Sequence, residues 1–355
     1  MPKPNQQPRW KQRLATNRDA RRWNLTSLAL TLPLLLLGYF YYGVPALHVA
    51  VVSVLAAVLA ELVFGRIFLH KNTLGDWNAV VVGLWIALML PAFIVPPEQY
   101  QMLGNYAVWY AALGSVFAIL VVKIPFGGTK HMPFSPAAAG FAFLTACFPH
   151  RVFTFVPSEV VAPVRSRSMA LLLNLGENAI TPDNLPRILF GHTVGPMGTG
   201  VVLVLVVMLA VMLLLKSRRS YAMASVGFIM AVAGLAFLFP RITPGVEGMT
   251  MSIRVASIGM ELFSGSLLFA AIFLLQEPST LPGRGFTRLA FGALAGAVAI
   301  LLRRLGTFEE NVVFAILLAN AMLPMIYRIQ DEALQQKIFR RKQKTEETEV
   351  ADAQE

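Results

Sequence analysis

The sequence predicts an all-α polytopic membrane protein, with about ten transmembrane helices arranged as two inverted five-helix repeats. Three observations carry this. Only 14% of the 355 residues are charged while 56% are hydrophobic, against roughly 25% charged in a soluble globular chain. The apolar residues are clumped into runs long enough to cross a bilayer at about 1.5 Å per residue, Gly200 to Leu215 with its flanks among them. The basic residues gather in alternate loops, the asymmetry that orients membrane proteins.

Residues 1–24 form a basic cytoplasmic head, with Lys3, Arg9, Lys11, Arg13, Arg18, Arg21 and Arg22 against Asp19 alone. No small-residue cleavage site follows the first apolar stretch, so no cleaved signal peptide is expected. The first membrane repeat, 25–149, holds spans near 25–43, 46–68, 78–95, 104–123 and 134–149. The second, 199–328, holds spans near 199–216, 221–239, 255–275, 287–304 and 311–328. Arg66, His70 and Lys71, then Lys123 and Lys130, then Lys216, Arg218 and Arg219, then Arg284 and Arg288 follow alternate spans. All these loops are cytoplasmic if the N-terminus is inside; Arg303 and Arg304 are the exceptions, ending the ninth span on the outer side. The segment 150–198 is an extracytoplasmic loop with five prolines, and 329–355 is a cytoplasmic tail of mixed charge. Both termini are therefore expected in the cytoplasm, with the chain in a bacterial inner membrane.

The net charge of +11 belongs to these loops and does not call for a nucleic-acid partner. The single cysteine, Cys147, excludes a disulfide framework or an iron–sulfur centre held by this chain alone. A soluble enzyme is excluded by composition, and no nucleophile triad, P-loop or zinc spacing is present.

A faint internal repeat supports the two halves. Ala118-Ile119-Leu120 with Lys123 is echoed by Ala299-Ile300-Leu301 with Arg304, and Phe141-Ala142-Phe143-Leu144 by Phe314-Ala315-Ile316-Leu317. Five spans per copy is an odd number, so the second copy runs inverted, which puts functional sites between the halves.

The chemistry-bearing residues are few. Glu61 and Glu261 lie within spans, where an ionisable group is costly and marks an ion path by default, packing being the alternative. Glu277, in the turn Gln276 to Gly283, is placed on the same path. A second interruption runs from Pro125 to Pro136; its Gly127 and Gly128 let backbone approach a ligand, and Ser135 would cap a helix opened by Pro136. Asp76 reads as a cap before the third span, and Lys130-His131 as a solvated basic turn that could also meet a phosphate or a quinone oxygen.

Four segments, in order over most of 60–328, resemble the NqrB/RnfD family: Glu61 with Asp76 and Leu88-Met89-Leu90-Pro91; Phe126-Gly127-Gly128 with Phe134-Ser135-Pro136-Ala137-Ala138; Phe273 to Thr280; and Arg303 to Gly306 with Phe314 to Pro324. The resemblance implies a membrane subunit of a redox-driven pump that passes electrons between NADH and quinone, or ferredoxin and NAD, and moves Na+ or H+. It implies partner subunits carrying the iron–sulfur and NADH chemistry, possible contact with quinone, and FMN or riboflavin. In the family FMN is joined through phosphate to a threonine of the outer loop. Ser168 falls nearest that position, but Arg167 replaces the small residue before it, so a noncovalent flavin is expected, with Arg165 and Arg167 available to its phosphate. A small-solute channel or transporter with inverted repeats, and an orphan redox subunit serving a biosynthetic enzyme, are the competing readings.

Overall fold

The computed structural model describes residues 17–70, 73–92, 107–155, 168–175, 185–240, 251–283, 285–305, 310–329 and 332. The basic head up to residue 16, nearly all of the tail, and Arg165 and Arg167 lie outside them. Among the described residues there are helices and turns but no strand, one bridge between Ser168 and Val194 aside.

Two long helices open the first half. α1 (Asn17–Tyr42) and α2 (Val44–Leu69) are separated by Gly43 alone, whose φ of 69° turns the chain back where a side chain would be strained. Pro45 then sits in the first turn of α2, where its missing N–H costs nothing. Along α2, Val51, Leu55, Leu59, Val63 and Ile67 recur every four residues and are 45% to 58% exposed. The opposite face, Ala46, Ala50, Ser53, Ala57 and Glu61, is buried. An apolar stripe facing outward with small and polar residues facing inward is a soluble helix turned inside out, as lipid requires.

The remaining helices are α3 (Asn78–Met89), α4 (Ala107–Phe117, prolonged by a π-helical turn at Ala118–Lys123), α5 (Pro136–Cys147), α6 (Pro149–Val152), α7 (Met169–Asn174), α8 (Leu185–Leu189), α9 (Val202–Leu214), α10 (Lys216–Leu238), α11 (Met251–Phe263), α12 (Leu267–Phe269, prolonged by a π-helical turn at Ala270–Leu274), α13 (Gly285–Leu305) and α14 (Val312–Ala321). Among these described helices four, α1, α2, α10 and α13, are long and apolar enough to span a membrane singly. α11 with α12, and α14 with a following segment Leu323–Ile329, make two more candidate spans bent by 68° and 42°. α3, α4, α5 and α9 are apolar but shorter. The ten expected positions are all helical, so the chain is an all-α polytopic membrane protein, but the ten are not equal. α3 and α5, at 12 residues each, are about 18 Å long, against a hydrocarbon core of about 30 Å. Such half-helices survive because protein, not lipid, meets their ends. At the end of α3, Met197 N donates to Leu90 O at 3.1 Å and Gly198 N to Leu88 O at 2.9 Å.

These short helices form the centre. Nearly every residue of α3, and every residue from Leu267 to Leu275, is buried. α3 and α12 meet where Trp85 and Phe273 approach to 5.9 Å between ring centroids.

Two ends of the bundle can be told apart by their contacts. At the first end, Arg218 on the first turn of α10 bonds to Trp23 O and Ser27 of α1, Asn24 Nδ2 donates to Asp76 O before α3, and Arg288 of α13 donates to Pro282 O and Ser220. The last turn of α4 and the segment after α14 also lie there, through Lys123 with Asp76 and Tyr327 with Leu281. At the second end, Tyr41 closing α1 donates to Phe190 O, Arg254 of α11 to Phe237 O of α10, Arg303 closing α13 to Glu261, and Asn311 before α14 to Leu302 O. Hence α2, α3, α4 and α5 run opposite to α10, α12, α13 and α14 respectively, each to its counterpart in the other half. That is the antiparallel relation expected of inverted copies.

The tightest helix pair in the second half, α10 with α13, is built on glycine. A Cβ on Gly292 would collide with the Ala224 carbonyl, and one on Gly227 with the Leu289 carbonyl. Close approach through small residues is how helices associate in a membrane. Gly292→Val is therefore expected to lower stability by about 1–3 kcal/mol, read as a drop in the thermal midpoint of the detergent-solubilised protein. An unchanged midpoint would mean the pair does not hold the half together.

Candidate functional site

Each end of the bundle carries a buried charge network. At the first end Lys123 and Glu61 are fully buried, with Lys123 Nζ 2.7 Å from Glu61 Oε1 and 3.2 Å from Asp76 Oδ1. The π-helical turn explains the position of Lys123. It carries α4 past its α-helical end, so the lysine stays inside the bundle between α2 and the turn before α3. Lys123 is thus not the loop charge expected from its place in the sequence: a buried ammonium persists only beside carboxylates. Asp76 does cap, accepting from Asn78 N at 2.9 Å, and in addition it accepts from Thr129 and pairs with Lys123.

Glu277 completes this end. It is 1% exposed, and neither carboxylate oxygen has a hydrogen-bond partner among the described residues. Burial pushes its carboxyl up to about 7; Lys123 and Arg218 pull it down and Asp76 pushes it up, but burial wins. Arg218, also expected as a loop charge, is buried against the Trp23 ring at 3.4 Å from its centroid.

At the second end Arg303 Nη1 lies 3.2 Å from Glu261 Oε2 and 2.8 Å from both Glu261 O and Ser264 Oγ. Arg304 approaches the other Glu261 oxygen at 3.9 Å. Next to them Ser266 donates to buried Glu310, and Gly265, with φ 62°, leaves room for that carboxylate. Arg303 and Arg304 are therefore not stray outer-loop charges: Arg303 is 3% exposed and partners Glu261. The helix break between α11 and α12, not anticipated from the sequence, delivers Ser264 and Ser266 to this network.

The glycine turn and the segment 150–198 fare differently. Gly127 and Gly128 adopt φ of 88° and 96°, as their freedom allows, in a turn at the first end. Pro136 opens α5 as expected, but Ser135 makes no side-chain cap; its Oγ is buried without a hydrogen-bond partner among the described residues. The two interruptions of the apolar pattern are not symmetry mates. Lys130 and His131 of one and Ser279 of the other line the same cavity of about 460 Å3, whereas inverted copies would lie at opposite ends. Ser168 is 7% exposed and its Oγ accepts from Leu171 N at 3.1 Å, capping α7. Met169, Leu172 and Leu173 pack with Ile188 of α8 and Met260 of α11, so this part of the segment 150–198 is folded onto the bundle.

Lys123, Arg303, Glu310, Asn320 and the role of Thr129 do not emerge from the sequence. The charge at position 123 and its echo near 304 are visible there, but a basic residue closing an apolar run reads equally well as a loop charge.

A family model described as "NQR2, RnfD, RnfE family" matches residues 10–336. Similar proteins include the D subunit of the ion-translocating oxidoreductase complex of Klebsiella pneumoniae (strain 342), 31% identical over 287 residues, covering 72% of this chain and 76% of that protein. The protein of the same description from Cronobacter sakazakii is 27% identical over 337 residues, covering 85% and 90%. The D subunit of the Na(+)-translocating ferredoxin:NAD(+) oxidoreductase complex of Acetobacterium woodii is 26% identical over 315 residues, covering 85% and 86%.

Proposed function

This chain belongs to the NQR2, RnfD, RnfE family, and from that premise we propose that it is the D-type membrane subunit of an ion-translocating oxidoreductase complex. Its partners are the other membrane and peripheral subunits, the lipid bilayer and, at a surface of the complex, quinone. It sits in a bacterial inner membrane with both termini in the cytoplasm, the side of the first end. The observation that carries this reading is the pair of buried acid–base networks at opposite ends of an inverted bundle, Glu61–Lys123–Asp76 with Glu277 and Glu261–Arg303. Carboxylates inside a membrane protein are costly and serve ion or proton passage. A Na+ or H+ reaching the first end meets Glu277, whose oxygens have no hydrogen-bond partner among the described residues, and moves on by competing with Lys123 for Glu61 and Asp76. The second network repeats the same competition through Arg303.

The chain is proposed to associate with flavin, which when bound supplies one- or two-electron transfer. The residues present fit such a group without a covalent bond. The Ser135 hydroxyl is buried without a hydrogen-bond partner among the described residues, in the same interruption as the left-handed backbone of Gly127-Gly128, which suits the polar edge of a ring. Ser168 instead spends its oxygen on capping α7. Ser168→Ala is expected to cost about 0.5–2 kcal/mol as a lost cap and to leave flavin content unchanged. The measurement is the absorption spectrum of the purified chain, with flavin recovered in the supernatant after denaturation. A fluorescent band on a denaturing gel that disappears in Ser168→Ala would overturn noncovalent binding; absence of flavin from both fractions would favour the transporter reading.

A further inference from the structure

The cavity at the first end has a composition of its own. It opens between the Lys130–Pro133 turn, Ser279 and the segment after α14. Three cationic or ionisable basic side chains, Lys130, His131 and Arg328, reach it, and among the described residues none of those that line it is acidic. Deeper in, Asn320 is 3% exposed, and neither its Oδ1 nor its Nδ2 has a hydrogen-bond partner among the described residues. The Ser279 hydroxyl is buried and equally unpartnered among them. A buried amide left without partners is unfavourable, so these groups point to a ligand that both donates and accepts.

The setting narrows the class. The segment Leu323–Ile329 places Leu323, Pro324, Tyr327 and Arg328 on the cavity. It also exposes Met325 at 60% and Ile329 at 55%. On a membrane protein exposed apolar side chains meet acyl chains, which puts Arg328 and Tyr327 at the level where headgroups begin. Basic pockets between helices at this level suit phosphate headgroups. The uncommitted amide and hydroxyl add a demand for hydroxyls next to the phosphate.

We propose that this cavity binds the headgroup of an anionic phospholipid whose phosphodiester carries free hydroxyls, as phosphatidylglycerol does. Its phosphate lies against Lys130, His131 and Arg328, its hydroxyls reach Asn320 and Ser279, and its acyl chains leave along the apolar surface of the segment. The inference does not depend on the redox reading: it would hold for a transporter equally.

The test uses the full chain in nanodiscs of defined lipid. Phosphatidylglycerol is expected to be retained through delipidation and to raise the thermal midpoint over phosphatidylcholine of the same acyl chains. Lys130→Ala and Arg328→Ala, both at accessible positions, should weaken retention roughly fivefold each without altering the midpoint in phosphatidylcholine. Asn320→Leu should erase the preference for phosphatidylglycerol over phosphatidic acid, which carries the phosphate but not the hydroxyls. Equal behaviour in phosphatidylglycerol and phosphatidylcholine would overturn the proposal. So would saturable binding of free flavin mononucleotide that the same two alanine variants abolish, since the cavity would then serve a soluble phosphate.

Discussion

Replacing Lys123 with Met is expected to cost about 3–5 kcal/mol of stability, because it removes one partner of a buried pair and leaves the other charged and uncompensated. The lysine is fully buried with Glu61 at 2.7 Å and Asp76 at 3.2 Å. Met fills much the same volume, so the loss is electrostatic rather than a cavity. The double variant Lys123→Met with Glu61→Gln should recover most of the loss, since a neutral amide no longer needs a cation. Thermal midpoints of the purified protein in mild detergent decide the matter. A single variant within about 1 kcal/mol of the parent would show a pair no stronger than one at an exposed surface.

Glu277→Gln is expected to change how the protein responds to pH. Burial holds the carboxyl up to about 7, against an ordinary glutamate value of 4.5. Between these values the native chain keeps a proton that the unfolded chain has released. Stability from this group is then complete below the unfolded value and is lost as pH rises towards 7. The parent should become less stable between about pH 4.5 and 7, and Glu277→Gln should flatten that slope while being at least as stable as the parent at pH 7. Identical slopes in parent and variant would mean that Glu277 is charged throughout. The proton held near neutrality is also what gives this residue its proposed place on the ion path.

The helical membrane architecture was legible because lipid imposes a simple rule: apolar runs of sufficient length, with charges in the turns. That rule located all ten helical positions. It failed on their lengths, since α3 and α5 have 12 residues each and the end of α3 is met by protein, and a hydropathy pattern does not distinguish lipid from protein as the apolar partner. The inversion was suggested by an echo of small motifs and an odd span count, and the opposed directions of α4 and α13 agree with it. Glu61 and Glu261 stood out because an acid within an apolar run has no bland exterior to explain it. Their partners did not. Lys123, Arg218 and Arg303 sit near the ends of apolar runs, where loop charges belong, and only the π-helical turn and the helix crossings draw them inside. The pairing of the two turns around one cavity was equally hidden, because it joins residues 130 and 279 across the two halves.

Ion passage for a redox complex through the buried acids of this chain is read most directly from redox-driven ion uptake. Inverted membrane vesicles holding the assembled complex would be energised with its electron donor, and Na+ or H+ uptake followed beside the rate of electron transfer. With Glu277→Gln in place, uptake per electron should fall by about tenfold, while the complex remains assembled and still transfers electrons. Uptake per electron equal to that of the parent would contradict ion passage by way of this carboxyl and return Glu277 to a role in packing alone.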